Sequence, residues 1–193
     1  MEPDASLILK TNADSDVSWH YREPESKSYD LKGTWRVRFL EGGPDLPEPY
    51  EATTLESWSE RGDAYEAFAG TAEFSIGFDA PEPDASWLLD LGAVYSSARV
   101  RLNHREITTL LGPAFTAELP KLKSTGNRLD VEVTSLAANR IRALDRQGVD
   151  WRIFEDINFV NVNYGKFDAT DWPIAPAGLL GPVRLVRLAA KGE

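Results

Sequence analysis

The run Gly70-Thr-Ala-Glu-Phe-Ser-Ile-Gly-Phe78 decides how this chain is read. Ala72, Phe74, Ile76 and Phe78 fall on every second position, with Glu73 and Ser75 between them. A period of two sends alternate side chains to opposite faces of a strand, so the run reads as a half-buried strand of an antiparallel sheet. The same pattern returns twice downstream. Ala98, Val100 and Leu102 alternate with Arg99 and Arg101, and Leu129, Val131 and Val133 alternate with Asp130 and Glu132. Trp87-Leu-Leu-Asp-Leu91 is nearly all apolar and suits a more central strand. Upstream, Trp35, Val37 and Phe39 face one way and Arg36 and Arg38 the other, after Gly33. Val183-Arg-Leu-Val-Arg-Leu188 supplies the final strand, with Gly178-Leu-Leu-Gly-Pro182 leading in. The expected fold class is all-β, an antiparallel jelly-roll β-sandwich with almost no helix. Phe74, Ile76, Val100, Leu102, Leu129 and Val131 are expected to face one core.

The remaining segments connect these strands. Leu7-Ile-Leu-Lys-Thr11 is a short strand candidate, and the charged segment 17–30 is either an edge strand or a linker. Residues 1–32 read as an N-terminal strand and edge segment of the same domain, and 33–190 as the sandwich itself. Glu41-Gly-Gly-Pro-Asp-Leu-Pro-Glu-Pro49 is a turn-rich loop. Trp58, ahead of the central strands, is expected to plug one end of the sandwich. Asn103-His104 has the form of a two-residue hairpin turn, which needs positive φ at both central positions. His104 is then either an exposed turn residue or a ligand contact held under strain.

Bulk composition excludes several function classes. The chain has 193 residues, enough for one sandwich with elaborated loops and few for two cored domains. Its formal charge of −10 disfavours nucleic-acid phosphates and anionic membranes as partners. The absence of cysteine excludes disulfides, thiol nucleophiles and Cys-based metal centres. No apolar run approaches the roughly 20 residues of a membrane span. The opening Met1-Glu-Pro-Asp-Ala lacks the basic and apolar regions of a signal peptide. The two histidines and the absence of a Gly-x-Ser-x-Gly elbow leave a Ser/His/Asp triad unsupported.

Several of these runs resemble a known family. Gly70-Thr-Ala-Glu-Phe74, Leu89-Asp-Leu-Gly92, Ala98-Arg-Val-Arg-Leu-Asn103, Gly126-Asn-Arg-Leu-Asp-Val-Glu-Val133, Ala138-Asn-Arg-Ile141 and Gly178-Leu-Leu-Gly-Pro-Val183 carry the resemblance. In order and spacing they are similar to the galactose-binding-like, jelly-roll sugar-binding domain of family 2 and, more closely, family 106 glycoside hydrolases. With Gly33-Thr-Trp-Arg-Val-Arg-Phe39 the likeness, which is to α-L-rhamnosidase-like enzymes, spans about four-fifths of the chain. The family pattern has Gly where His104 stands, and related domains often carry an aromatic in place of Leu111. The resemblance implies an accessory domain, because in those enzymes the catalytic carboxylates belong to a separate barrel domain. It also implies a secreted parent, extracellular or periplasmic, and allows calcium as a structural ion. No other cofactor is expected, and the domain is expected to be monomeric.

Chemistry is expected between Ala138 and Pro176, where the alternation stops. This span far exceeds a median connection of about 4–6 residues, and long loops on a rigid scaffold are where binding usually resides. Trp151, Tyr164 and Trp172 offer flat faces for sugar C–H groups. Asn139, Asn161, Asn163 and Asp168 supply directed hydrogen bonds, and Arg140 and Arg152 can fork onto hydroxyls or a uronate carboxylate. The competing reading has these aromatics merely packing the loop onto the sandwich. Asp150, Glu155, Asp156, Asp168 and Asp171 supply enough carboxylates to imagine a glycosidase pair, but acidic residues are abundant in any chain of this charge. The sequence therefore points to a non-catalytic carbohydrate-binding module for a rhamnose- or uronate-containing plant or algal polysaccharide. The alternative is a structural domain that only buttresses a catalytic barrel.

Overall fold

The computed structural model describes residues 22–152 and 167–190. The Leu7–Thr11 strand candidate lies outside the described residues. Strands β1 (Arg22–Asp30), β2 (Trp35–Gly43), β3 (Tyr50–Ala52), β4 (Ala69–Phe78), β5 (Ser86–Asp90) and β6 (Ala93–Tyr95) come first. Next come β7 (Ser97–Leu102), β8 (Arg105–Leu110), β9 (Thr116–Glu118), β10 (Asn127–Thr134), β11 (Gly178–Gly181) and β12 (Arg184–Ala190). A six-stranded sheet in the order β3-β2-β4-β10-β7-β8 faces a four-stranded sheet, β1-β12-β5-β9, and a short β11-β6 pair joins them at one side. Every ladder between these strands is antiparallel. The chain is thus an antiparallel β-sandwich, as the alternation predicts, and the charged segment ahead of residue 30 ends in a true edge strand.

Register explains why the pattern was so legible. Phe74 on β4 stands opposite Val131 on β10, which in turn stands opposite Val100 on β7. Ile76, Leu129 and Leu102 form the next row. All six of these residues lie in the buried cluster. Trp87, Leu89 and Leu185 cover them from the four-stranded sheet. Leu88 breaks the solid run by facing the other way, half-buried.

Trp58 plugs the core as expected, fully buried and stacked on Phe74 at 6.3 Å between ring centroids. Room for its indole comes from Gly178, where a Cβ would stand 2.8 Å from the Trp58 ring. Gly92 is required for a different reason. It sits at φ +64°, and a Cβ there would meet the Gly181 carbonyl oxygen at 2.4 Å, so the β5–β6 corner closes on backbone alone.

The turn at Asn103-His104 is the expected hairpin, with φ of 51° and 67°. Its His104 is exposed. Two short helices depart from the near-helix-free expectation: α1 (Asp63–Glu66) and α2 (Ala138–Arg146), besides a 3-10 turn at Trp58–Glu60. The second helix occupies the start of the span read as loop.

Candidate functional site

The six-stranded sheet has two unlike ends. At one, β4 and β7 finish and β8 and β10 begin, and polar side chains close the turns. Asn127, almost wholly buried, accepts hydrogen bonds from the Asn103 amide at 3.1 Å and the Lys123 N–H at 3.0 Å, and donates to the Lys123 carbonyl at 2.7 Å. Asp79 accepts from the Gly126 N–H at 2.8 Å.

At the other end, β2, β8 and β10 finish and β4 and β7 begin. Leu46, Tyr95, Leu111, Leu136, Val149, Trp172 and Ile174 are the exposed large hydrophobics among the described residues. Every one belongs to a segment that leaves or re-enters the strands at this end. Leu111, where related domains often carry an aromatic, is the most exposed of them at 78%.

The span from Ala138 to Pro176 departs from this apolar end and is fastened mainly at Asn139 and Asp145, with Arg142 joining Glu66 and the Trp172 carbonyl between them. Asn139, on α2, is 5% exposed. Its amide donates to the Ala175 carbonyl and accepts from the Ala175 N–H, both at 2.8 Å. Ser57 and Ser59 bind the same strip from the opposite side, Ser57 accepting from the Ala177 N–H at 2.9 Å and Ser59 donating to the Ala175 carbonyl at 3.1 Å. Asn139 therefore anchors the chain's return to β11, its amide nitrogen and oxygen each engaged with Ala175.

The second fastening is Asp145, near the end of α2. Its carboxylate accepts from the Trp151 indole N–H at 2.7 Å, from Arg152 at 3.0 Å and from the Ala169 N–H at 2.7 Å. Burial pushes this carboxyl up, but the Ala169 N–H, the Trp151 indole and the Arg152 charge outweigh it and hold the group below the usual aspartate range. Arg152 also donates to the Phe167 carbonyl at 3.0 Å, so one ion pair joins residues 151–152 to 167–169. The Arg152 guanidinium lies over the Trp151 ring, 4.9 Å from its centroid. Phe167 meets Trp151 edge-on at 6.0 Å and Trp172 edge-on at 5.5 Å.

These contacts place the expected site residues as follows. Trp151, Phe167 and Trp172 form one herringbone, and Trp172 presents an edge of it to solvent at 38% exposure. Trp172 is held through its backbone, its carbonyl accepting from Arg142 at 2.7 Å. Asp168 is exposed and caps the Thr170 N–H at 2.8 Å. Arg140 is half-buried on α2, and among the described residues its side chain makes no hydrogen bond or ion pair. Asn161, Asn163, Tyr164, Glu155 and Asp156 lie outside the described residues. An open recess of about 440 Å³ adjoins the herringbone, lined by Asp145, Asp150, Arg152, Phe167, Asp168 and Thr170 among others. No group of three or more His, Asp or Glu side chains able to hold a metal ion occurs among the described residues.

Sequence reasoning missed Asp145 and Phe167, the two residues that organise this cluster. The only local signal for Asp145 was its place one turn after Ile141, at the close of an unrecognised helix.

No family model matches the chain, and no curated protein matches it. Solved structures do. A rhamnosidase from Novosphingobium sp. superposes with a TM-score of 0.65 at 24% identity, covering 91% of this chain and 16% of that one. A β-glucuronidase from Bifidobacterium dentium, complexed with coumarin-3-O-glucuronide, superposes with a TM-score of 0.58 at 20% identity, covering 85% of this chain and 31% of that one. At these identities the likeness is one of fold. The chain spans less than a third of either enzyme, so its sandwich recurs as one part of longer glycoside hydrolases.

Proposed function

We propose that this chain is a non-catalytic accessory domain of a rhamnosidase-like, secreted glycoside hydrolase, seated against the catalytic part by the apolar end of its six-stranded sheet. The observation that carries this reading is the gathering of exposed large hydrophobics at one end. Scattered apolar residues on a surface need no explanation, but all seven exposed large hydrophobics of the described residues lie on segments at one end of the sheet, which points to an interaction surface there. The similar rhamnosidase supports a partner of that kind, since its matching sandwich is only 16% of its chain.

Two measurements test it. The chain alone is expected to hydrolyse no aryl rhamnoside, galactoside or glucuronide above a no-enzyme control. Turnover that survives repurification and disappears on replacing Asp150, Glu155 or Asp156 would make it an enzyme. In a chimera carrying this chain in place of the rhamnosidase's own sandwich, Leu136→Asp and Leu111→Asp should lower the thermal midpoint of the chimera and leave that of the free chain unchanged. Equal midpoints in both settings would remove the docking surface.

A second reading, glycan binding by the 138–176 span, is favoured by the exposed Trp172 ring beside the Asp168 recess. Sugar hydroxyls exchange one hydrogen bond for another with little net gain, so affinity would rest on the ring face. Isothermal titration against rhamnogalacturonan fragments should then show Trp172→Ala weakening binding about tenfold or more, and Arg140→Ala doing so only for acidic fragments. Unchanged binding by Trp172→Ala would leave the ring as packing.

A further inference from the structure

The outer face of the six-stranded sheet differs in kind from that of the four-stranded sheet. On the smaller sheet, basic side chains are 38–49% exposed and their carboxylate partners 31–59%, so neither sign dominates the surface. On the six-stranded sheet, Arg36, Arg38, Arg99, Arg101 and Arg128 are 30–79% exposed, whereas Glu73, Asp130 and Glu132 are sunk at 5–14%. A carboxylate on a short stem stays near the backbone while the longer arginine overtops it. At these central ion pairs the solvent therefore meets mainly guanidinium, in a chain whose net charge is −10. Glu51 on β3, Glu41 near the end of β2 and Glu106 opposite Arg101 on β8 are exposed carboxylates on the same face.

At one corner of this face is an open recess of about 490 Å³, within the size range of small-molecule sites. Arg36 and Arg128 flank it, Thr34, Ser75, Ile76 and Gly77 line it between them, and the Glu51 carboxylate paired with Arg36 stands at its edge. Gly77 stands directly opposite Arg128 in the ladder, so no β4 side chain fills the space beside that guanidinium. A Cβ at Gly77 would approach nothing nearer than the Asn127 carbonyl at 3.9 Å, so the gap is real. Arg128 gives Nε to Asp130 at 2.7 Å and Nη2 to Ser75 at 3.3 Å, which fixes the group without using all its donors. Arg36 gives only Nε, to Glu51 at 3.0 Å, in a pair so exposed that a competing anion displaces it at little cost.

We propose that Arg36 and Arg128 form a binding site for the anionic group of an acidic polysaccharide, a carboxylate or a sulfate ester held by the two guanidinium forks over Gly77. The geometry suits planar or tetrahedral oxyanions, which arginine grips by paired N–H bonds. No aromatic ring lines this recess, so a neutral sugar finds no stacking face there. The inference rests on the carbohydrate side of the reading above and not on the docking surface.

Affinity electrophoresis of the full chain through gels containing polygalacturonate, dextran sulfate or neutral dextran tests it. Retardation is expected in at least one anionic gel and not in neutral dextran, and it should fade at raised salt. Polygalacturonate alone would identify carboxylate as the ligand group, and dextran sulfate alone would identify sulfate. The R36A/R128A variant should lose about tenfold in affinity. R184A/R187A removes the same charge from the other sheet and should bind as the parent does. Gly77→Leu fills the recess without changing charge and should reproduce the loss, with its thermal midpoint recorded to show that it folds. Equal losses in both double variants would reduce the effect to diffuse charge. Parental binding by Gly77→Leu, or an unretarded parent, would overturn the site and leave the docking reading intact. Loss on Trp172→Ala alone would move glycan binding to the 138–176 span.

Discussion

The two ends of the six-stranded sheet are built to different purposes. At the Asn127 end, each loop is short and its polar groups are used up on its neighbours, as Asn103, Asp79 and Asn127 show. The side chains that close the turns there are spent on the sheet itself, and the Arg36–Arg128 recess lies beside them on the outer face. At the Trp172 end, the loops are longer, internally fastened by Asn139 and Asp145, and still leave large apolar side chains in water. Folding alone gains nothing from that exposure. The difference locates the surface that the fold does not explain.

The core between the ends gives the largest expected effect and sets the scale. Phe74 is buried under Trp58, and Phe74→Ala should cost about 3–5 kcal/mol in chemical denaturation. A loss below about 1 kcal/mol would place Phe74 outside the core on which both ends depend. Asp145→Ala comes next, at about 3 kcal/mol, because it leaves the Arg152 guanidinium mostly buried without its partner. Hydrogen exchange should rise at the Ala169 N–H and stay slow at Lys123, at the opposite end; a uniform rise would erase the distinction between the two. The same carboxylate gives the apolar end an acid sensitivity. Its pKa is lower folded than unfolded, so its stabilisation is complete above the ordinary aspartate range and is lost as pH falls through the lowered value. Asp145→Asn should remove that component of the acid titration.

The polar end has its own test in Asn127→Ala, expected to cost about 2 kcal/mol by leaving the Lys123 N–H and the Asn103 amide without their acceptor. Here the pattern of exchange should invert, rising at Lys123 and not at Ala169. If Asn127→Ala also loosened Ala169, the ends would be one cooperative unit.

What was legible in the sequence follows the same divide. Strands announce themselves by a period of two, so Phe74, Val100 and Val131 could be assigned to one core before any contact was known. The hairpin at Asn103-His104 was legible because turn chemistry is local. The helix over Ala138–Arg146 was not, because Ala137 stands at its N-cap and gives no capping hydrogen bond, so the usual start signal is missing. Nor could Asn139 be seen as an anchor, since its partner Ala175 lies 36 residues away. A polar residue in an irregular span reads the same whether it faces a ligand or a distant backbone group. Trp151 shows this most clearly. Its indole was expected as a sugar platform, and its N–H is given to Asp145 while the Arg152 guanidinium lies over its ring.

The smallest effect belongs to the tip of the polar end. His104 holds φ at 67° in a two-residue turn, a region where a Cβ crowds the following carbonyl at about 1 kcal/mol. Glycine carries no such penalty, but it adds freedom to the unfolded chain that partly offsets the gain. His104→Gly should therefore raise stability by about 0.5 kcal/mol, read as a small increase in the denaturant midpoint at unchanged slope. The substitution also returns the residue that the resembled family carries there. If the Asn103-His104 turn serves folding only, the stabilised variant should bind polygalacturonate or rhamnogalacturonan fragments as the parent does. A variant that is more stable but binds less would show that His104 is kept for contact rather than for the turn. That outcome would place the hairpin turn itself in ligand contact, beside the Arg36–Arg128 recess at the same end.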